Sequence, residues 1–166
     1  MKIINAVLFK ANWFACVLGG ALWGALGVIG LAVFSFVAGR WQRDLVLAAA
    51  LAAIGFCLDT VWIQLGILDY GTSLAPMWIV LMWVGLAFTI NHAMSVFVER
   101  PLLGGLLSGG AAPVTYLGGE RLGSVVVAMP LGLILVASVW AVLFYAVFRL
   151  CRDLDSDLAS EAEIVA

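Results

Sequence analysis

The chain has 166 residues, of which 65% are hydrophobic and 11% are charged, with a mean hydropathy of +1.17 and a formal net charge of −2. A soluble domain carries about 25% charged residues and is roughly half apolar, so the composition excludes a soluble fold and predicts an integral membrane protein. The charge balance is not basic enough to indicate a nucleic-acid partner, and membrane lipids are the expected surroundings.

The first predicted helices come from the apolar run over 3–38. This run is too long for one membrane span, which needs about 20 residues. The Gly19-Gly20 pair lies at its middle, and glycine is the weakest ordinary helix former. One bent helix is the alternative, but the pair favours two spans, over 4–19 and 21–38.

Four more spans are predicted further along the chain, over 45–68, 76–97, 102–117 and 125–148. Pro76 and Pro101 fall at the first turns of two of them, where a missing N–H costs nothing. Pro113 and Pro130 lie inside predicted spans and are expected to kink them or to mark irregular backbone.

Small residues four positions apart let two helices approach closely. This spacing occurs twice in the glycine-rich runs, at Gly20/Gly24 and Gly105/Gly109. We therefore expect close helix packing at both pairs.

The basic residues predict an orientation. With the N-terminus in the cytoplasm, the cytoplasmic segments hold Lys2, Arg40, Arg43, Arg100, Arg149 and Arg152. The outer loops then hold Arg121 alone, which is a clear positive-inside bias. The predicted fold is all-α: a polytopic transmembrane helix bundle over residues 1–152, with six spans and both termini cytoplasmic. Residues 153–166 are predicted to form an acidic, disordered cytoplasmic tail.

Polar residues inside spans mark sites or buried partners, and one group is expected in the outer half of the bundle. Asp59 and Tyr116 come out at a matched depth, roughly 21 Å from the cytoplasmic end at 1.5 Å per residue. Glu120 and Arg121 lie further toward the outer face. We expect these four residues to line one ligand-binding cavity, with Arg121 as partner for Asp59, for Glu120 or for an anionic headgroup. Local hydrogen bonding by Asp59 and a solvated Glu120–Arg121 loop are the alternatives.

A second polar group is expected nearer the cytoplasmic side. Its members are Lys10, Asn12, Asn91 and His92. The spacing of His92, Ser95 and Glu99 predicts that they share one helix face. The alternatives are that Lys10 extends to the headgroups, that Asn91 joins two helices, and that His92 is a hydrogen-bonded bundle residue.

The three cysteines, Cys16, Cys57 and Cys151, have no metal-ligand spacing, and His92 is the single histidine. The sequence therefore predicts neither a metal site nor a cofactor.

Four stretches resemble a small bacterial inner-membrane family that is known only as a domain of unknown function. They are "LFKANWFACVLGG", the Asp59 helix, "APMWIVLMWVGLAFTIN" and, most specifically, "GGAAPVTYLGGERLGSV". The resemblance implies a multi-pass protein of the bacterial inner membrane, often encoded near enzymes that modify membrane fatty acids. It implies no established activity. The family usually has glutamine at Lys10 and glycine at Ala112, so no shared role follows for Lys10.

Three functions remain open at this point. The chain could bind or move a small amphipathic or lipid-like ligand, or serve as a subunit of a lipid-modifying assembly. It could be an intramembrane enzyme acting on acyl chains or isoprenoids, with Asp59, Glu120 and Tyr116 as an acid–base set. It could also be a purely structural partner in a membrane complex. The first is the expected one, because no known catalytic motif is present.

Overall fold

The computed structural model describes the backbone of residues 1–165 and the side chains of residues 1–156. Its elements are α1 (Lys2–Val37), α2 (Trp41–Gln64), β1 (Leu68–Asp69), α3 (Met77–Ile90), α4 (Ser95–Glu99), α5 (Pro101–Arg121), β2 (Val126–Val127) and α6 (Gly132–Val165). The two short strands pair antiparallel. The all-α architecture predicted from the sequence is confirmed.

Helix α1 consists of two arms that fold back on each other at Gly20. This glycine has φ 69° and ψ −155°, a backbone conformation that is essentially restricted to glycine. A Cβ added at Gly24 would lie 2.7 Å from the Cys16 sulfur, and one added at Gly27 would collide with Asn12. The arms are therefore antiparallel, and the chain breaks where the sequence predicted. Of the expected Gly20/Gly24 packing pair, Gly20 forms the turn and only Gly24 packs.

The helices run alternately between two ends of the bundle. One end, called the Asp44 end, is defined by the buried side chains of Asn5, Ser35, Asp44 and His92. Ser35 and His92 form hydrogen bonds with Asp44, and Asn5 binds the backbone of Phe88 and Ala93 beside His92. The opposite end, called the Gly20 end, holds the turn of α1 and the strand pair β1–β2. All polar sites below are placed by these two ends.

Three helices are long and apolar enough to cross a membrane: α1, α2 and the 132–156 part of α6. Helix α3 is apolar but has only 14 residues. Large apolar side chains cover the outside of the bundle; Leu22 and Leu131, for example, are 71% and 79% exposed. A surface this apolar needs lipid around it, so the chain is a membrane protein.

Helices α5 and α6 approach closely along the glycines of α5. A Cβ at Gly105 would lie 2.6 Å from the carbonyl oxygen of Ala141, and one at Gly109 would lie 2.6 Å from that of Ala137. The structure therefore confirms the close packing predicted at this pair. Helix α5 continues through Pro113 as far as Arg121.

The predicted span over 76–97 is wrong as one continuous helix. Helix α3 ends at Ile90, and a turn leads into the short α4. The amide of Asn5 bridges this break, because its Nδ2 donates to the Phe88 carbonyl at 3.1 Å and its Oδ1 accepts from the Ala93 N–H at 3.2 Å. Backbone groups freed inside a bundle need such partners, and the hydropathy pattern cannot show them.

The predicted span over 125–148 begins too early. Val126 and Val127 form β2, and α6 starts only at Gly132. Pro130 therefore lies in irregular backbone at the entry to α6, which is the second of the two outcomes expected for it. The backbone of residues 126–127 pairs with β1 instead of joining a helix.

The acidic tail predicted over 153–166 begins within α6. Residues 153–156 continue the helix, and Arg43 forms an ion pair with Asp155 at the bundle surface. The remaining side chains lie outside the described residues, so the disorder expected there stays a prediction.

Candidate functional site

A buried carboxylate marks the half of the bundle nearer the Gly20 end. Asp59 is fully buried on α2 and accepts three hydrogen bonds from uncharged donors. The hydroxyls of Tyr70 and Tyr116 reach its Oδ1 at 2.8 and 3.0 Å, and the indole N–H of Trp83 reaches its Oδ2 at 2.7 Å. The donors come from the β1–α3 loop, α5 and α3, so one side chain ties three segments to α2.

These donors compensate the removal of the Asp59 carboxylate from water, which is otherwise very unfavourable. Burial, and then the neighbouring Asp59, raise the pKa of the Tyr70 phenol well above its ordinary value. The Tyr70 hydroxyl therefore stays protonated and remains a donor.

A long apolar groove of about 380 Å³ lies in front of this cluster. Its first wall is the N-terminal arm of α1, with Ala6, Phe9, Lys10, Trp13 and Val17. Its second wall is α5, with Leu107, Ser108, Ala111, Thr115 and Gly119. Its floor includes Met82, Trp83, Trp140 and Phe144. At 1.5 Å per residue the walls are roughly 16–18 Å long, and the volume is within the usual range of ligand sites.

The groove opens sideways, between α1 and α5. Its exposed lining residues belong to these two walls and are Ala6, Lys10, Leu107 and Ala111. Trp13 and Gly118 come close across the gap, since a Cβ at Gly118 would lie 3.6 Å from the Trp13 ring. The mouth therefore faces the apolar side of the bundle rather than either end.

The four residues of the expected outer-half site do not all meet. Asp59 and Tyr116 do, and Tyr116 also lines the groove. Glu120 instead accepts a hydrogen bond from the Val127 N–H at 2.8 Å and so fixes β2 to the end of α5. Arg121 is exposed at the last position of α5 and forms no ion pair with any described carboxylate. The expected Asp59–Arg121 pairing is absent among the described residues, because neutral donors occupy both oxygens of Asp59.

A second buried carboxylate, Asp44, organises the opposite end. Ser35 donates to its Oδ2 at 2.5 Å, Asn91 donates to its Oδ1 at 2.7 Å, and His92 Nε2 lies 2.6 Å from Oδ2. Arg40 adds a hydrogen bond to the Asn91 carbonyl oxygen at 3.4 Å. Asn91 and His92 thus belong to one polar cluster, as expected, but its centre is a carboxylate that the sequence pattern did not single out.

This cluster borders a recess of about 430 Å³ at the Asp44 end. His92, Ser95 and Glu99 all line it, so the side chains predicted to share a face do share this recess despite the helix break. No group of three or more metal-ligating side chains is found among the described residues.

Lys10 and Asn12 lie apart from the Asp44 cluster, so the four residues of the predicted second polar group do not form one cluster. Lys10 is exposed at the groove mouth, with its ammonium 5.1 Å from the centre of the Trp13 ring. Asn12 is buried where the arms of α1 meet α3, between Gly27 and Gly85. The two side chains point to different sides of the same helical arm.

Sequence reasoning missed Asp44, Tyr70 and Trp83. Asp44 lies one residue before the predicted span over 45–68, so it was not counted among the polar residues inside spans. Tyr70 and Trp83 lie in apolar or loop sequence with no polar pattern around them. The sequence did contain one signal for them. A buried carboxylate must be paired or hydrogen-bonded, so Asp59 without a nearby cation requires several neutral donors.

Comparison with known proteins gives one match. No curated protein and no solved structure matches this chain significantly. The profile of one family matches residues 2–146, nearly the whole chain. On this evidence the chain belongs to the family described as "Protein of unknown function (DUF2878)".

Proposed function

We propose that the chain is a membrane protein that binds or moves a lipid-like ligand in the groove between α1 and α5. The observation that carries this proposal is the sideways opening of the groove toward the lipid-facing surface. A ligand that dissolves in the bilayer could enter there without crossing water. The apolar walls would hold its chain, and the polar groups inside the groove would orient its head.

The topology that fits this proposal has six spans, with both termini on the cytoplasmic side of a bacterial inner membrane. Reversal at Gly20 divides α1 into two arms, and the basic residues collect at the Asp44 end. Reporter fusions after Gly71 and after Arg152 should report opposite sides of the membrane. Two reports from the same side would reject this topology.

Tryptophan fluorescence offers a direct test of ligand binding. Trp13, Trp78, Trp83 and Trp140 line the groove, so a brominated single-chain amphiphile that enters should quench them. The purified protein in neutral detergent should show saturable quenching. Replacing Ala111 at the mouth by phenylalanine should weaken it, because the ring would fill the groove.

A matched control is Ala53→Phe, since Ala53 is an exposed α2 residue outside the groove lining. This variant should quench like the parent. Quenching that is unsaturable, or equal in both variants, would reflect detergent partitioning and would contradict the proposal.

The other two functions have less support from the geometry. The acid–base set proposed for an enzyme is not assembled, because Glu120 binds the backbone of β2 while Asp59 and Tyr116 bind each other. A purely structural role does not account for an open groove of this size.

A further inference from the structure

The polar side chains that line the groove can all donate hydrogen bonds. Lys10 at the mouth can only donate, whereas the hydroxyl of Ser108 can both donate and accept. The nearby Asp59 carboxylate adds no free acceptor, because its oxygens are bound by three donor side chains that themselves line the groove.

One of these groups has no internal partner. The Ser108 Oγ is a buried atom that forms no hydrogen bond with any described residue, whereas the Trp140 indole is paired with the Tyr116 side chain. Ser108 is only 7% exposed and lines the groove. A buried polar atom without a partner costs on the order of 1–3 kcal/mol, so a ligand that supplies acceptors here would bind more tightly.

Lys10 places a positive charge at the mouth of the groove. It lies near the middle of the first arm of α1, at the groove mouth, and forms no ion pair with a described carboxylate. A cation within a membrane span is unfavourable unless it reaches water or meets an anion. Its contact with the Trp13 ring is a weak compensation in comparison with an acid group.

We infer that the groove selects an anionic amphiphile whose carboxylate or phosphate lies at Lys10 and accepts a hydrogen bond from Ser108. The inference rests on the proposed ligand-binding function and adds the chemical class of the ligand. The acid group would occupy the middle of the groove, and the apolar chain would lie along its walls. A carboxylate and a phosphate present the same acceptor chemistry to these donors.

Competition against the brominated amphiphile tests this selectivity. The competitors are hexadecanoate, hexadecyl phosphate, hexadecanol and hexadecylamine, which share one chain and differ in the head. The acids should displace the probe at about tenfold lower concentration than the alcohol, as one charge-assisted contact would give. Whichever of hexadecanoate and hexadecyl phosphate displaces the probe at the lower concentration identifies the preferred acid group.

The variants separate charge recognition from general binding. Lys10→Gln should remove most of the preference for the acids while leaving competition by the alcohol unchanged. Lys10→Arg should keep the preference. Lys2→Gln, which changes the other lysine of the chain, should behave like the parent, and thermal stability in detergent would confirm that each variant is folded.

The outcomes are distinguishable. Equal competition by all four heads, or a preference for the amine, would overturn the anionic class but leave ligand binding intact. An acid preference that survives in Lys10→Gln would overturn the role of Lys10. Failure of the probe to bind the parent protein would reject the proposed function and the inference together.

Discussion

The hydrogen bonds of Asp59 make a sharp prediction about stability. Alanine at this position would leave three donors without their acceptor, in a region where water cannot replace it. The Tyr70 side chain is half-buried and can turn its hydroxyl toward the groove. Trp83 and Tyr116 are 2% and 3% exposed and cannot. Two buried donors are then unsatisfied, which costs about 2–6 kcal/mol at roughly 1–3 kcal/mol each.

Asparagine should behave differently, because it can satisfy the same three partners. With its Oδ1 toward Trp83, the amide oxygen accepts from the indole N–H. Its NH₂ group then faces the hydroxyls of Tyr70 and Tyr116, which can rotate to accept. The bonds become neutral and weaker, but the burial of a charge is also avoided. We expect Asp59→Asn to lie within about 1.5 kcal/mol of the parent.

The assay is the free energy of unfolding in mixed detergent micelles, measured for the parent, Asp59→Ala and Asp59→Asn. Tyr116→Phe provides an intermediate reference, because it removes one donor to the carboxylate and should cost about 1.5–3 kcal/mol. An alanine variant as stable as the parent would refute the account of buried donors. An asparagine variant as unstable as alanine would show that the charge itself is required.

Three further predictions follow from the described contacts. Arg121→Gln should change stability by less than about 0.5 kcal/mol and should be additive with Asp59→Asn in a double-mutant cycle, since the residues are not paired; coupling well above that would show a contact absent from this structure. Gly20→Ala should cost on the order of 1–3 kcal/mol because of its backbone conformation, whereas Gly30→Ala, in an open helical position, should not destabilise; equal thermal stabilities would contradict the turn. Truncation after Asp155 keeps the ion pair of that residue and should leave the melting temperature nearly unchanged; a large loss would show that the removed residues pack on the bundle.

Sequence patterns predicted the depth of polar residues better than their partners. Hydropathy and residue counting placed Asp59 and Tyr116 at the same height, and the two side chains do meet. Glycine propensity located the reversal at Gly20, because only backbone conformation decides that position. Proline at the first turn likewise fixed the start of α5 at Pro101.

The direction in which a side chain points around its helix could not be predicted in the same way. Lys10 and Asn12 have similar depths but lie on different sides of one arm, and only the packing of α1 on α3 separates them. The break after Ile90 was missed because Asn5, 85 residues earlier in the chain, supplies its hydrogen bonds. Arg121 was predicted to pair by its charge alone, although neutral aromatic donors satisfy the carboxylate.

The two buried carboxylates of α2 explain why the groove can stay open. Asp44 and Asp59 are 15 positions apart, about 22 Å along the helix, and both point into the bundle. Asp44 ties α2 to α1 and to the turn after α3, while Asp59 ties it to α3 and α5. Helix α1 packs on α3, whereas α5 packs on α6 and is tied to α2 through Tyr116, so α1 and α5 need little direct contact with each other. The gap between them is the groove mouth, so the two buried acids stabilise the walls of a groove that they do not themselves line.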